Sequence, residues 1–188
     1  FSVLLVRFFN PPFTSFMVLE SKFFKKKIDY SWMPISNVGE NIALSVVATE
    51  DSNFCKHIGL DIKEIYKVVT RKEKRGASTI TQQLAKNLFL WSERSWSRKM
   101  IELYFTFLLE IIIPKRRILE IYLNIVETSS LTFGVNQASE KYYKKPANKL
   151  TKEQAVRIAL TLPNPKARSP KKLKSYLVGR ISRLKKDI

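Results

Sequence analysis

Residues 95–125, SWSRKMIELYFTFLLEIIIPKRRILEIYLNI, decide the fold class. Their apolar positions Ile101, Tyr104, Phe105, Leu108, Leu109 and Ile112 recur at intervals of three and four. That spacing predicts one long helix, opening near Ser95, with a single buried stripe. Pro114 interrupts the run, because a proline lacks the amide donor and crowds the preceding turn, and it is placed to start the next helix. There Ile118, Ile121, Tyr122 and Ile125 share a face.

The same periodicity extends outward in both directions. A helix from about Asn41 carries Ile42, Ser45, Val46 and Thr49 on one face and runs out at Glu50-Asp51. Another opens at Asp61, with Glu64 three residues on in the manner of a capping box. Its apolar positions are Ile62, Ile65, Tyr66 and Val69, and a basic turn over 71–76 closes it. A third helix follows, with Ser78 as candidate N-cap. Downstream, a polar loop is expected over 128–132, then helices over 134–143 and 151–162, the second ending before Pro163. A last basic helix is expected from Ser169-Pro170, with Leu173, Tyr176, Leu177, Ile181 and Leu184 as its stripe. Residues 1–37 read as irregular, and no convincing strand alternation appears, so the expected fold is all-α with an irregular N-terminal arm.

A chain of 188 residues, 45% of them hydrophobic, suits one domain with a real core. Thirty-four Lys and Arg against 16 Asp and Glu give a net charge of +18 and a pI near 10.1. Such a field favours a nucleic acid, an anionic lipid or a phosphorylated substrate, and a plain lysine bias also accounts for it. One cysteine, Cys55, excludes an internal disulfide, and a single histidine, His57, excludes a zinc cluster of His and Cys. The opening FSVLLVRFFN is shorter than the roughly 20 residues a membrane span needs and lacks a signal peptide's basic start and cleavage site. It reads either as the end of a membrane anchor or as a buried apolar arm. Phe13, Phe16, Phe23 and Phe24 beside Lys25-Lys26-Lys27 suit a membrane interface or a core edge equally.

Several polar positions suggest chemistry. Glu50 and Asp51 are helix neighbours about 100° apart, so they do not share one site. A carboxylate where an apolar helix ends is raised in pKa if desolvated, which suits a general base, whereas two solvated acids at a helix end are the alternative. His57, near Gly59, reads as a structural hydrogen-bonder. Thr79, Gln82, Gln83 and Lys86 follow helical spacing that either grips sugar hydroxyls and a phosphate or is an ordinary wet face. Arg94, Arg98 and Glu102, with Lys99 beside them, form a stripe that is either a diphosphate site next to a second carboxylate or a salt-bridged surface. Glu120, Asn124 and Glu127 either line the same cleft or form the polar side of their helix.

Four stretches in order resemble the peptidoglycan glycosyltransferases, the family 51 glycosyltransferases. They are EDSNFCKHIG at 50–59, GASTITQQLAKN at 76–87, RKMIE at 98–102 and ILEIYLN at 118–124. The closing segment, from Ala155 through Leu162-Pro163-Asn164-Pro165, is also similar, and no transpeptidase region follows, as in the monofunctional transglycosylases. The resemblance implies a lysozyme-like helical domain over 11–188 with a small membrane-touching lobe, and residues 1–10 as the end of an anchor. It implies polymerisation of lipid II onto a growing lipid-linked glycan through β-1,4 links, with release of undecaprenyl diphosphate. By that resemblance Glu50 is the base, and Lys86, Arg94, Arg98 and Lys99 hold the diphosphate. Glu102 positions the diphosphate directly or through a divalent cation, Mg or Mn. Ser78, Thr79, Gln82, Gln83 and Asn87 shape the donor cleft, and Glu120 and Asn124 join the substrate-binding set. Asp51, Phe54, His57 and Gly59 support the first motif. The implied location is the outer face of the bacterial inner membrane, on a single-pass anchor. Other cell-wall synthesis and division proteins are the implied partners, and nucleic acid is not. A lytic, lysozyme-like hydrolase is the alternative activity. The stretch ETSSLT at 127–132 stands where the family has more glycine.

Overall fold

The computed structural model describes residues 3–25, 27–70, 76–93 and 95–187. Helices α1 (Val3–Phe8), α2 (Ser15–Phe24), α3 (Ile35–Val38) and α4 (Glu40–Glu50) open the chain. α5 (Ile62–Thr70), α6 (Ile80–Phe89), α7 (Trp96–Ile112) and α8 (Lys115–Ile125) follow. A two-stranded antiparallel hairpin, β1 (Glu127–Ser129) and β2 (Thr132–Phe133), leads to α9 (Val135–Tyr143), α10 (Lys152–Ala159) and α11 (Ser175–Asp187). The all-α expectation is met apart from that hairpin.

Local chemistry accounts for the helix starts. α6 and α10 each open on a full capping box. Thr79 and Thr151 accept from the amides of Gln82 and Gln154, whose side chains accept in return from the threonine amides. Ser95 Oγ accepts from the Arg98 amide to start α7, and Asp61 Oδ1 accepts from the Glu64 amide to start α5. Thr79, not Ser78, is therefore the cap of α6; the threonine is the residue whose backbone is extended immediately before the first helical turn.

α6 lies at the centre, packed on α2, α7 and α8, while α4 packs on α10. Ile42, Val46, Ile80, Leu84, Leu109, Ile118, Ile121 and Tyr122 are fully buried in the common core. Each contributes about 1.5–3 kcal/mol through removal from water. A smaller cluster, Val156 and Leu160 with Leu177, Ile181 and Leu184, fastens α11 to α10.

The structure differs from the sequence expectations at identifiable places. Within the arm expected to be irregular, residues 3–8, 15–24 and 35–38 are helical, and the last helix starts at Ser175 because 169–172 form a tight turn. The segment expected as a polar loop is the hairpin, in which Thr128, Ser129 and Thr132 are buried and Lys141 Nζ donates to Ser129 and Thr132. The stripe on α7 is not buried as a unit. Its inner face is Arg98, Glu102, Thr106 and Leu109, whereas Ile101 and Tyr104 face outward, because α7 carries more apolar surface than its seam with α6 covers. Ile62 and Tyr66 on α5 are likewise exposed. The basic turn over 71–75 lies outside the described residues.

Candidate active site

α4 ends where its two terminal acids part. Asp51 leaves helical geometry, with φ −159° and ψ 73°, and its carboxylate turns inward. Asp51 Oδ1 lies 2.8 Å from His57 Nε2, and Oδ2 accepts from the Ile80 amide at 3.0 Å. A negative group at the first turn of α6 meets both an unpaired amide and the positive end of the helix dipole. Asp51 thus ties the end of α4, the His57 turn and the start of α6 together. Phe54 is buried beneath this turn, with Lys115 Nζ 4.5 Å above its ring. Thr79 Oγ1 donates to the Gly59 carbonyl at 2.6 Å.

Gly59 has φ +77°, and a Cβ there would stand 2.7 Å from Thr106 Cγ2 on α7. Gly59→Ala adds a left-handed backbone penalty to a steric clash. It is expected to destabilise the domain by roughly 2–4 kcal/mol, read as a lower urea midpoint at unchanged m-value.

Glu50 faces the other way. Its Oε2 accepts from Gln83 Nε2 at 2.9 Å, and its Oε1 is enclosed without a hydrogen-bond partner. Burial raises the carboxyl pKa; the Gln83 hydrogen bond and the charges of Arg168 and Arg180 partly offset this, while Asp51 adds to it. Across the cleft, the first turns of α7 hold Glu102. Arg98 Nη1 donates to Glu102 Oε2 at 2.7 Å, and Lys99 Nζ donates to Oε1. Lys99 also reaches Ser78 Oγ at 3.5 Å, and Arg98 Nε is buried without a partner. Lys86 Nζ sits 5.4 Å over the Phe16 ring.

These groups line one cavity of about 900 Å³. Glu50, Asp51, Ser78, Thr79, Gln82, Gln83, Lys86, Asn87, Arg98, Lys99 and Glu102 all border it. Phe54, His57 and Gly59 are not in the lining; His57 and Gly59 join it through Asp51 and Thr79. Glu120 and Asn124 are not in the lining: Glu120 accepts from the Ile35 amide and Arg117, and Asn124 pairs with both backbone groups of Met33. They pin the segment before α3 onto α8. Gln82 is committed through its carbonyl to the α6 cap. Arg94 lies outside the described residues.

Of the three acids and amides expected to line the cleft or to form a polar helix side, only Glu127 reaches the cavity, on another of its walls. That wall comprises Glu20 and Phe16 of α2, Glu127 of β1 and the turn at 162–166, with Lys166 Nζ donating to Glu20 Oε2 at 2.6 Å. Glu20 and Lys166 are 146 residues apart, so no local pattern links them. Glu127 is singled out by its spacing from Glu120 and Asn124, but α8 ends at Ile125 and Glu127 stands on β1. Its Oε1 is buried and unpaired, and burial pushes its carboxyl up to about 7, with Lys166 opposing and Glu20 reinforcing the shift. A carboxyl raised on folding favours the fold below its unfolded pKa, and that contribution is lost as pH rises through about 7. Glu127→Gln removes the titration. Relative to wild type, its melting temperature is expected to rise by roughly 2–6 °C at pH 8 with little change near pH 4, read by calorimetry.

A divalent cation bridging Glu102 to the diphosphate would share that carboxylate with Arg98 and Lys99. Both Glu102 oxygens are held by Arg98 and Lys99.

A helical domain whose cleft sets a desolvated carboxylate against a second carboxylate held by cations defines a glycan-processing class of protein. The chain belongs to the transglycosylase family, whose model matches residues 18–187. It is 42% identical over 193 residues to a biosynthetic peptidoglycan transglycosylase of Bdellovibrio bacteriovorus, covering 97% of this chain and 76% of the relative. A protein of the same name from Chromohalobacter salexigens is 43% identical over 191 residues, covering 95% and 82%. One from Haemophilus influenzae is 43% identical over 177 residues, covering 88% and 72%.

Proposed function

We propose that this chain polymerises lipid II into β-1,4-linked glycan strands, with Glu50 as general base. The observation that carries this reading is that one cleft is lined both by a desolvated Glu50 carboxylate and by a Glu102 gripped by Arg98 and Lys99. Glu50 takes the proton from the acceptor's 4-hydroxyl. That oxygen bonds to the donor's anomeric carbon as the bond to the diphosphate oxygen breaks on the opposite face, giving inversion. The electron pair leaves with undecaprenyl diphosphate, whose charge Arg98, Lys99 and Lys86 offset. Glu50 then returns its proton to water. Glu102 acts as a positioning residue, fixing the Arg98 and Lys99 donors in place before substrate arrives.

The basic stripe separates this reading from a lytic hydrolase. A hydrolase makes no use of two cationic side chains around a second carboxylate, whereas Glu102 accepts from both Arg98 and Lys99. A diphosphate leaves as a stable anion and needs positive charge instead. Incubation with lipid II is expected to yield polymer and free undecaprenyl diphosphate; shortening of preformed glycan without polymer would favour the hydrolase.

The lipid on the substrate requires work at a bilayer surface. α1 packs on α7, with Val3 and Val6 in the core and Leu4, Leu5 and Phe8 outward. Met100, Tyr104 and Ile111 of α7 are also exposed. No helix of the described residues is long and apolar enough to cross a membrane. The exposed faces of α1 and α7 supply a surface contact suited to the outer leaflet of the inner membrane.

A further inference from the structure

Glu50 is held through a chain that begins in the core. Tyr122 of α8 is fully buried, and its hydroxyl donates to Gln83 Oε1 at 2.9 Å. On the other side of the same carboxamide, Gln83 Nε2 faces Glu50 Oε2 at 2.9 Å and the Ser78 carbonyl oxygen at 3.5 Å. A backbone carbonyl is only an acceptor, so the amide nitrogen belongs on that side and the amide oxygen belongs at the phenol. With its orientation set, the amide gives its N–H to one carboxylate oxygen and leaves the other, Oε1, with no partner.

We propose that Tyr122 is a positioning residue that locks the Gln83 carboxamide so that its N–H, and not its carbonyl, faces Glu50 Oε2 and keeps the Glu50 carboxylate ready to accept the proton. This rests on the reading of Glu50 as base. Without the hydroxyl, nothing donates to the Gln83 carbonyl, and the turned amide, with its carbonyl toward Glu50, gains population. An amide oxygen repels a carboxylate and accepts from a carboxylic acid, so the turned amide favours protonated Glu50. The other charged or titratable groups acting on Glu50 are Asp51 beside it on α4, Arg180 on α11 and Arg168 in the preceding turn. None of these is moved by removing one hydroxyl from α8.

The test compares Tyr122→Phe, Gln83→Met and the double variant with wild type, using lipid II polymerisation across pH and NMR titration of the Glu50 side-chain carboxyl. Tyr122→Phe is expected to move the acidic limb of kcat upward by about one pH unit, with KM unchanged. That is about a tenfold loss on the acid side and little loss at high pH. Gln83→Met is expected to shift the limb the same way, and the double variant no further. The carboxyl titration is expected to move with the limb. An equal loss at every pH, or an unmoved carboxyl titration, overturns the inference. If Tyr122→Phe does not fold, an unmoved titration in Gln83→Met does so. A carboxyl titration that moves while Glu50→Gln stays active keeps the lock and removes the base assignment instead.

Discussion

Glu50→Gln is expected to reduce lipid II polymerisation by about 10²–10⁴-fold, the range general-base catalysis supplies, without loss of fold. The substitution is isosteric, and the new carbonyl still accepts from Gln83 Nε2, which now lies 2.9 Å from Oε2. It also removes a carboxylate whose Oε1 is buried without a partner, so thermal stability at neutral pH is expected to be equal or higher. The pH profile carries a second expectation. The Glu50 pKa is raised by desolvation, so wild-type activity falls as pH drops through a value above that of an ordinary glutamate. Near wild-type polymerisation by Glu50→Gln, measured on gels of labelled lipid II, removes Glu50 from the base role.

Arg98→Ala is expected to weaken binding of a diphosphate-containing inhibitor by about tenfold to hundredfold, the value of a charged hydrogen bond, measured by calorimetry. Arg98 has a donor to spare: Nη1 is held by Glu102, while Nε is buried and unpaired. Opening this nearly buried pair also costs stability, roughly 3–5 kcal/mol, because Glu102 keeps only Lys99. Two further variants separate the effects. Arg98→Lys keeps the charge but not the planar fork and is expected to fall between wild type and Arg98→Ala. Lys99→Gln alters a side chain that is one-third exposed and is expected to weaken binding with a smaller loss of stability. Unchanged inhibitor affinity in Arg98→Ala and Lys99→Gln would remove the diphosphate from this end of the cleft.

The two carboxylates illustrate how differently sequence and structure speak. That Glu50 and Asp51 have separate tasks was legible, because helix geometry turns adjacent residues about 100° apart. The partners of each were not. Asp51 reaches His57 six residues on and the Ile80 amide 29 residues on, while Glu50 meets Gln83 at 33. The stripe of Arg98 and Glu102 was legible as a pair at helical spacing. Its burial was not, and the apolar residues of the same helix that were expected inside are partly outside. Which side of α7 is inner depends on where α6 packs. β1 and β2, at three and two residues, are too short for alternation to register.

By itself, the sequence determined the helices around residues 95–125, their break at Pro114, the acids at the end of α4 and the cap at Asp61. These rest on contacts three or four residues apart, which any helix of this sequence repeats. Tertiary structure alone decided that Glu50 is desolvated with one oxygen bare, that Glu20 and Lys166 share a wall with Glu127, and that Tyr122 sets the Gln83 amide. Desolvation and hydrogen bonds between helices depend on which surfaces meet, and that is a property of the packed core.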